Sequence, residues 1–199
     1  MTRAQATTIL RQEHDAILRM LVLSEEAARK LDRGERCDPE ILTGLNEFFR
    51  LFADRCYHSK EEELLFPLLE KKGLPREGGP ISVMLFEHDE GRALIQQMLR
   101  SAEAYASGGV EAGPRWAAAA LSYTWLLHEH IFKENNVLFM LAERALTDTE
   151  QQELAAAFDR IEEEKMGPGT HERLHALMEK LAQEISQPWA AGEGVEVKK

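Results

Sequence analysis

Two stretches of the chain repeat one chemical arrangement: His58-Ser-Lys-Glu-Glu62 and, far downstream, His130-Ile-Phe-Lys-Glu134. Residues four apart on a helix stand one above the other, so each stretch aims an imidazole and a carboxylate in one direction. That donor pair suits a first-row transition metal better than calcium or magnesium. One His-x-x-x-Glu alone is also an ordinary surface pairing. Here, though, each follows an isolated histidine in a matching context, Glu13-His14-Asp15 and Glu87-His88-Asp89. His14 and His88 are 74 residues apart and His58 and His130 are 72 apart, as two copies of one helical hairpin would be.

Helices must carry these groups. Apolar residues recur at helical spacing from about Thr7 to Leu31, and Gly34 to Pro39 interrupts them. Asp38 is a good N-cap with Pro39 at the first helical position, opening a second helix to about Lys72. Pro67 predicts a kink or an early end in it. The Gly/Pro-rich run from Gly73 to Pro80 is a loop, a third helix covers Ile81 to Ala106, and a fourth runs from about Arg115 to Leu146. Thr147-Asp-Thr-Glu150 has capping-box spacing and opens a fifth helix to about Lys165; a sixth spans Thr170 to Ser186. The expected fold is all-α: an up-down-up-down four-helix bundle over residues 1–146, two shorter helices over 147–187, and a frayed tail over 188–199.

In such a bundle, residues equally far from a connecting turn lie at one height. With the first turn near residue 36, His14 and His58 are each about 22 residues away, about 33 Å along either helix. His88 and His130 are roughly 20 to 22 residues from the third turn, and Glu62 and His88 differ by about 2 Å in height about the middle turn. Four imidazoles and two carboxylates then share one layer, a donor set matching two metals. Burying them together without a cation or a full hydrogen-bond network would be costly.

At these residues, from about 7 to 146, the chain resembles the hemerythrin-like, or HHE cation-binding, family. Leu65-Phe66-Pro67 and Leu138-Phe139-Met140 after the two His-Glu pairs belong to the resemblance. It implies a four-helix bundle around two iron ions, oxo- or hydroxo-bridged, held by His14, His58, Glu62, His88, His130 and Glu134. Oxygen-carrying members have five histidines, whereas the position four after His88 is Arg92. The chain is more similar to a subgroup that includes di-iron proteins linked to repair of iron centres and others that destroy peroxide. Repair members usually carry a cysteine-bearing N-terminal segment, and this chain starts almost at its first helix, which speaks against repair. The register in the first copy stays open: Glu134 precedes Phe139 by five residues, but Glu62 precedes Phe66 by four. Matching on Leu-Phe selects Tyr57 and Glu61 instead, but the apolar stripe through Leu45, Phe48 and Phe52 points closer to 58 and 62, so His58 and Glu62 are the expected ligands, with Tyr57 and Glu61 in reserve as additional metal or supporting residues; a phenolate ligand would give a visible charge-transfer band.

The rest of the composition narrows the setting. A net charge of −11 over 199 residues argues against nucleic acid or an anionic membrane as partner. No apolar run approaches the roughly 20 residues of a membrane span, and cytoplasmic localisation is expected. Cys56 reads as core and Cys37 as a turn residue, not as a disulfide framework. His128 points away from His130, His171 and His175 read as an ordinary amphipathic turn, and Glu162 to Glu164 as a solvated face. The function expected is a non-haem di-iron protein that binds, senses or detoxifies O2, NO or H2O2, as a monomer or homodimer, with no catalytic residue assigned. The alternatives are an iron-handling or sensing protein without turnover and a metal-free helical interaction module.

Overall fold

The structure, a computed structural model, describes residues 5–109 and 111–191. The first helix, α1 (Ala6–Asp32), buries Leu10, His14, Ile17, Leu21 and Leu31 along one stripe and ends at Gly34, whose φ of 79° suits glycine. Asp38 then caps α2 (residues 39–71), its carboxylate accepting the Glu40 N–H at 2.9 Å, with Pro39 in the first turn.

Two stretches of α2, Phe49–His58 and Glu61–Leu65, are wound as π-helix. Pro67 neither ends nor interrupts α2, which continues as α-helix over Phe66–Lys71. The wide turn just before it changes the hydrogen-bond period there, and a proline's missing N–H is accommodated at such a change. Next, α3 (Pro80–Ala106) and α4 (residues 112–145) complete the bundle. One more π-helical turn, Glu134–Leu138, lies in α4.

The first four helices pack each against the next and α1 against α4, the ring of an up-down-up-down bundle. Apolar layers, including Phe48, Phe49, Trp116 and Tyr123 on one side and Leu65, Phe66, Leu138 and Phe139 on the other, fill its interior.

The predicted capping box is present: the Thr147 hydroxyl accepts from the Glu150 N–H and the Glu150 side chain accepts from the Thr147 N–H. It opens α5 (Asp148–Met166), and α6 (Thr170–Ser186) follows. Leu154, Phe158, Leu174, Leu181 and Ile185 seat this pair against α1 and α2. The buried Lys30 ammonium donates to the carbonyls of Ile185 and Gln187, each at 2.6 Å, tying the end of α6 to α1. Within the expected tail, Ala190–Ala191 pairs antiparallel with Glu35–Arg36; residues 192–199 of that tail lie outside the described residues. No helix among the described residues is long and apolar enough to cross a membrane.

Candidate metal centre

His14 on α1, His58 on α2, His88 on α3 and His130 on α4 all point into the bundle, none more than 2% exposed. The imidazoles of His58 and His88 stack with centroids 3.8 Å apart, and Nε2 of His88 lies 3.2 Å from Nε2 of His130. Donor atoms of His58, His88 and His130 fall within 4.8 Å of one another, as do those of Glu61, His88, His130 and Glu134. Nε2 of His14 lies 2.8 Å from Oε2 of Glu134 and 2.6 Å from the Tyr57 hydroxyl. Successive helices have brought four imidazoles to one layer, as equal distances from the turns predict.

The carboxylate that joins them from α2 is Glu61, fully buried, rather than the expected Glu62. Wide π turns reduce the angular step between neighbouring residues, so Tyr57 and His58 both face inward. Glu61 follows four after Tyr57, and the Tyr57 hydroxyl donates to its Oε1 at 3.3 Å. A 3.6-residue period counted from His58 selects the wrong neighbour. The Leu-Phe register, with a glutamate five residues before phenylalanine in both copies, selects the residue found.

Each of the two buried acids reaches two parts of the cluster. Glu61 sets Oε1 beside the Tyr57 hydroxyl and Oε2 3.4 Å from Nε2 of His88. Glu134 sets Oε2 beside His14 and Oε1 3.0 Å from Nε2 of His130. Despite this closeness, Nε2 of His58, Oε2 of Glu61 and Oε1 of Glu134 have no hydrogen-bond partner among the described residues. Close donor atoms, aligned for something other than one another, are what a shared cation requires. The donor set of imidazole and carboxylate fits iron.

Around this core runs an outer ring of acceptors. Nδ1 of His14 faces Asn135 Oδ1 at 3.1 Å, that of His58 faces Asp54 at 3.4 Å, that of His88 faces Glu62 at 2.6 Å, and that of His130 faces Glu87 at 2.9 Å. Partners at the second ring nitrogen fix the tautomer and leave Nε2 free to bind. Glu62 therefore stands outside the cluster, where it also accepts from Arg92 at 2.6 Å. Asp54, Glu87 and Asn135 were not singled out by sequence. Asp54 had a signal, four residues before His58; Glu87 stands in the repeated Glu-His-Asp triplet without a role assigned to it, and Asn135 only neighbours its motif.

The electrostatics are those of a crowded buried site. Burial lowers the His58 imidazole to about 3, helped by His88 beside it. Burial alone would also lower His130, but Glu134 and Glu87 outweigh it and lift that ring to about 9. Glu61 is raised well above the usual carboxylate range by burial and by Glu134, while Glu134 is held well below it because His130 and His14 overcome its burial.

Residues 5–142, more than half of the chain, match the hemerythrin HHE cation binding domain. The chain belongs to the hemerythrin HHE cation-binding family. Among relatives of this HHE chain, the iron-sulfur cluster repair protein YtfE of Salmonella schwarzengrund is 34% identical over 118 residues, covering 56% of this chain and 53% of that protein. YtfE of Salmonella newport gives the same identity and coverage. Rv1995 of Mycobacterium tuberculosis is 25% identical over 158 residues, covering 79% of this chain and 61% of its own. The HHE chain here thus spans between half and two thirds of the length of these relatives. It is a hemerythrin-like metal-binding domain with an all-α bundle.

Elsewhere, His128 is exposed and outside the cluster. His171 and His175 lie 4.6 Å apart, centroid to centroid, against Phe52, with no third metal-binding group grouped with them among the described residues. Of the acidic run, Glu163 and Glu164 are exposed, while Glu162 turns toward the buried Lys60 at 3.4 Å.

Proposed function

We propose that this domain houses two iron ions and uses them to bind and reduce, or to sense, a small molecule such as O2, NO or peroxide. The observation carrying this reading is that Glu61 and Glu134 each turn one oxygen toward His14 and Tyr57 and the other toward the facing pair of His88 and His130. Two acids spanning two separate sets of donors suit two cations better than one. In this reading His58, His88 and His130 would hold one iron, His14 and Tyr57 the other, and Glu61 and Glu134 would offer carboxylate oxygens to both. Glu62, in place of the ligand role expected of it, orients His88.

Paired irons supply reversible electron transfer and an acceptor for diatomic ligands. The chain's own residues do the rest. Leu65, Phe66, Leu138 and Phe139 keep the site dry, which strengthens every charge interaction within it. Tyr57 carries the one hydroxyl reaching both bridging acids and His14. Its replacement by phenylalanine removes a donor atom with little change in shape.

Repair of iron centres is a second reading, favoured by the similarity to YtfE. We take residues 1–146 as the metal-binding unit and 147–187 as a brace on it.

Purification from iron-supplemented cells tests the proposal. About two irons per chain with near-ultraviolet oxo-di-iron absorption is the expected result; less than one iron per chain sinks it. If the Tyr57 oxygen binds ferric iron, a broad visible band is present and the Y57F variant loses it while keeping most of its iron. Turnover of peroxide or NO by the loaded protein, beside His130→Ala, then separates an enzyme from a sensor.

A further inference from the structure

The outer face of α3 and α4 leaves large aromatic side chains open to solvent. Trp125 is 69% exposed and Phe86 and Phe132 are each 64% exposed, unusual values for large aromatic side chains. On α3 the exposed residues Phe86, Glu90, Ala93, Gln97 and Arg100 recur at alternating intervals of four and three. On α4 Arg115, Ala118, Ser122, Trp125, Glu129 and Phe132 do the same with intervals of three and four. That 3.5-residue spacing is the pattern of a seam between packed helices.

From this face we infer that the chain forms a two-fold symmetric dimer, α3 on α3 and α4 on α4, antiparallel. Charge selects this occupant. The face is acidic towards its Phe86 and Phe132 end, with Glu90 and Glu129, and basic towards the other, with Arg100 and Arg115. A two-fold axis lying in the face and crossing both helices turns each end onto the other. Glu90 and Arg100 are equidistant from the level of residue 95, and Glu129 and Arg115 from that of residue 122. Those two levels coincide, because Leu94 and Ser122 together line both of the grooves between the helices. One axis therefore sets Arg100 against the partner's Glu90 and Arg115 against the partner's Glu129. Two independent pairs agreeing on one axis is the signature of an isologous contact.

Shape agrees with charge. The same axis carries one groove, about 660 Å³ and lined by Trp125, onto the other, about 570 Å³ and lined by Ser101, Ala104, Ala118 and Ala119. Reflection about residue 122 brings Trp125 to the level of the partner's Ala118 and the partner's Ala119, small residues on the wall of the other groove. Buried tryptophans with charged pairs at the rim are the usual energetic centre of such interfaces.

Sedimentation velocity on the full chain from about 1 to 100 μM tests this against four variants, covering the span in which modest dimers dissociate. The wild type runs as a dimer at the upper end, and W125A weakens it by about tenfold or more. R100E weakens it too, and E90R combined with R100E restores it, because each substitution meets the other across the axis. E90R alone behaves as R100E. All three positions are exposed and lie outside the metal cluster, so unchanged helicity and iron content check that the fold is intact. A monomer at every concentration overturns the inference. So does a dimer that W125A and R100E leave unweakened, which would place the contact on another face.

Discussion

Glu61 and Glu62 are neighbours with opposite environments, and the distinction is testable by substitution. Glu61 is fully exposed to the cluster and sealed from solvent; Glu62 is 26% exposed and bonded to His88 and Arg92. E61Q is expected to lose most of the bound iron. E62Q should keep it at stoichiometric loading and bind it about ten- to a hundredfold more weakly, the usual cost of losing a ligand's outer partner. Metal titration of both variants decides, and equal loss would mean the two roles are shared. His130 gives a second handle. Held at about 9 by Glu134 and Glu87, it is protonated at neutral pH in the metal-free chain, and a cation must displace that proton. Raising the pH removes the competitor, so affinity should rise by up to about tenfold per pH unit between 7 and 9, with a proton released on binding. Calorimetry in buffers of different ionisation enthalpy measures both. His14, His88 and His130 were legible in sequence because α-helical spacing holds around them, and His58 and Glu134 because the His-x-x-x-Glu motif repeats. Glu61 was legible only through its distance to Phe66, since the periodicity that selects Glu62 fails where the helix widens.

That widening belongs to the element. Phe49–His58, Glu61–Leu65 and Glu134–Leu138 are the three stretches among the described residues where helices of this bundle widen to the π period, and each contains or adjoins proposed ligands. Nothing in residue type announces it: Phe49 to Leu65 reads as a strong amphipathic α-helix, and packing around the cluster overrides that local preference. Caps were readable by contrast, because Asp38 and Thr147 act on groups two or three residues away. Lys30 was not, since its partners at Ile185 and Gln187 are more than 150 residues distant. It supplies a prediction for the brace. Lys30→Met keeps the aliphatic stem but leaves the last carbonyls of α6 unpaired, and hydrogen bonds from a charged donor contribute about 1.5 to 3 kcal/mol. A loss of stability in that range is expected in denaturant melts, with amide exchange speeding up in α6 first. Uniform acceleration across α1 to α4 would mean that Lys30 supports the bundle as a whole instead.

On the scale of the molecule, the all-helical architecture and the shared height of four histidines could be read before any coordinates, because helix rise and turn positions determine both. The face formed by α3 and α4 could not, since exposure depends on which sides of four helices turn inward. The remaining question is how far the cluster itself holds the bundle together. Apolar layers flank it on both sides, so the helices should persist when metal is removed, with the loss falling on stability. A ligand present at a hundred times its dissociation constant stabilises the folded state by about 2.7 kcal/mol. For a chain of this size that is about 5 to 10 °C in Tm. Chelation is therefore expected to lower the melting temperature by that amount while leaving far-ultraviolet dichroism at 20 °C almost unchanged. The effect should grow with pH. In the metal-free chain His130 is raised from 6.5 to about 9, so its contribution to stability is complete below pH 6.5 and fades as pH rises through 9. Metal affinity moves the other way over the same range. Melts at pH 6.5 and 8.5, each with iron and with chelator, should thus show the larger gap at 8.5. Equal melting temperatures under all four conditions would leave a helical interaction module without metal as the better description.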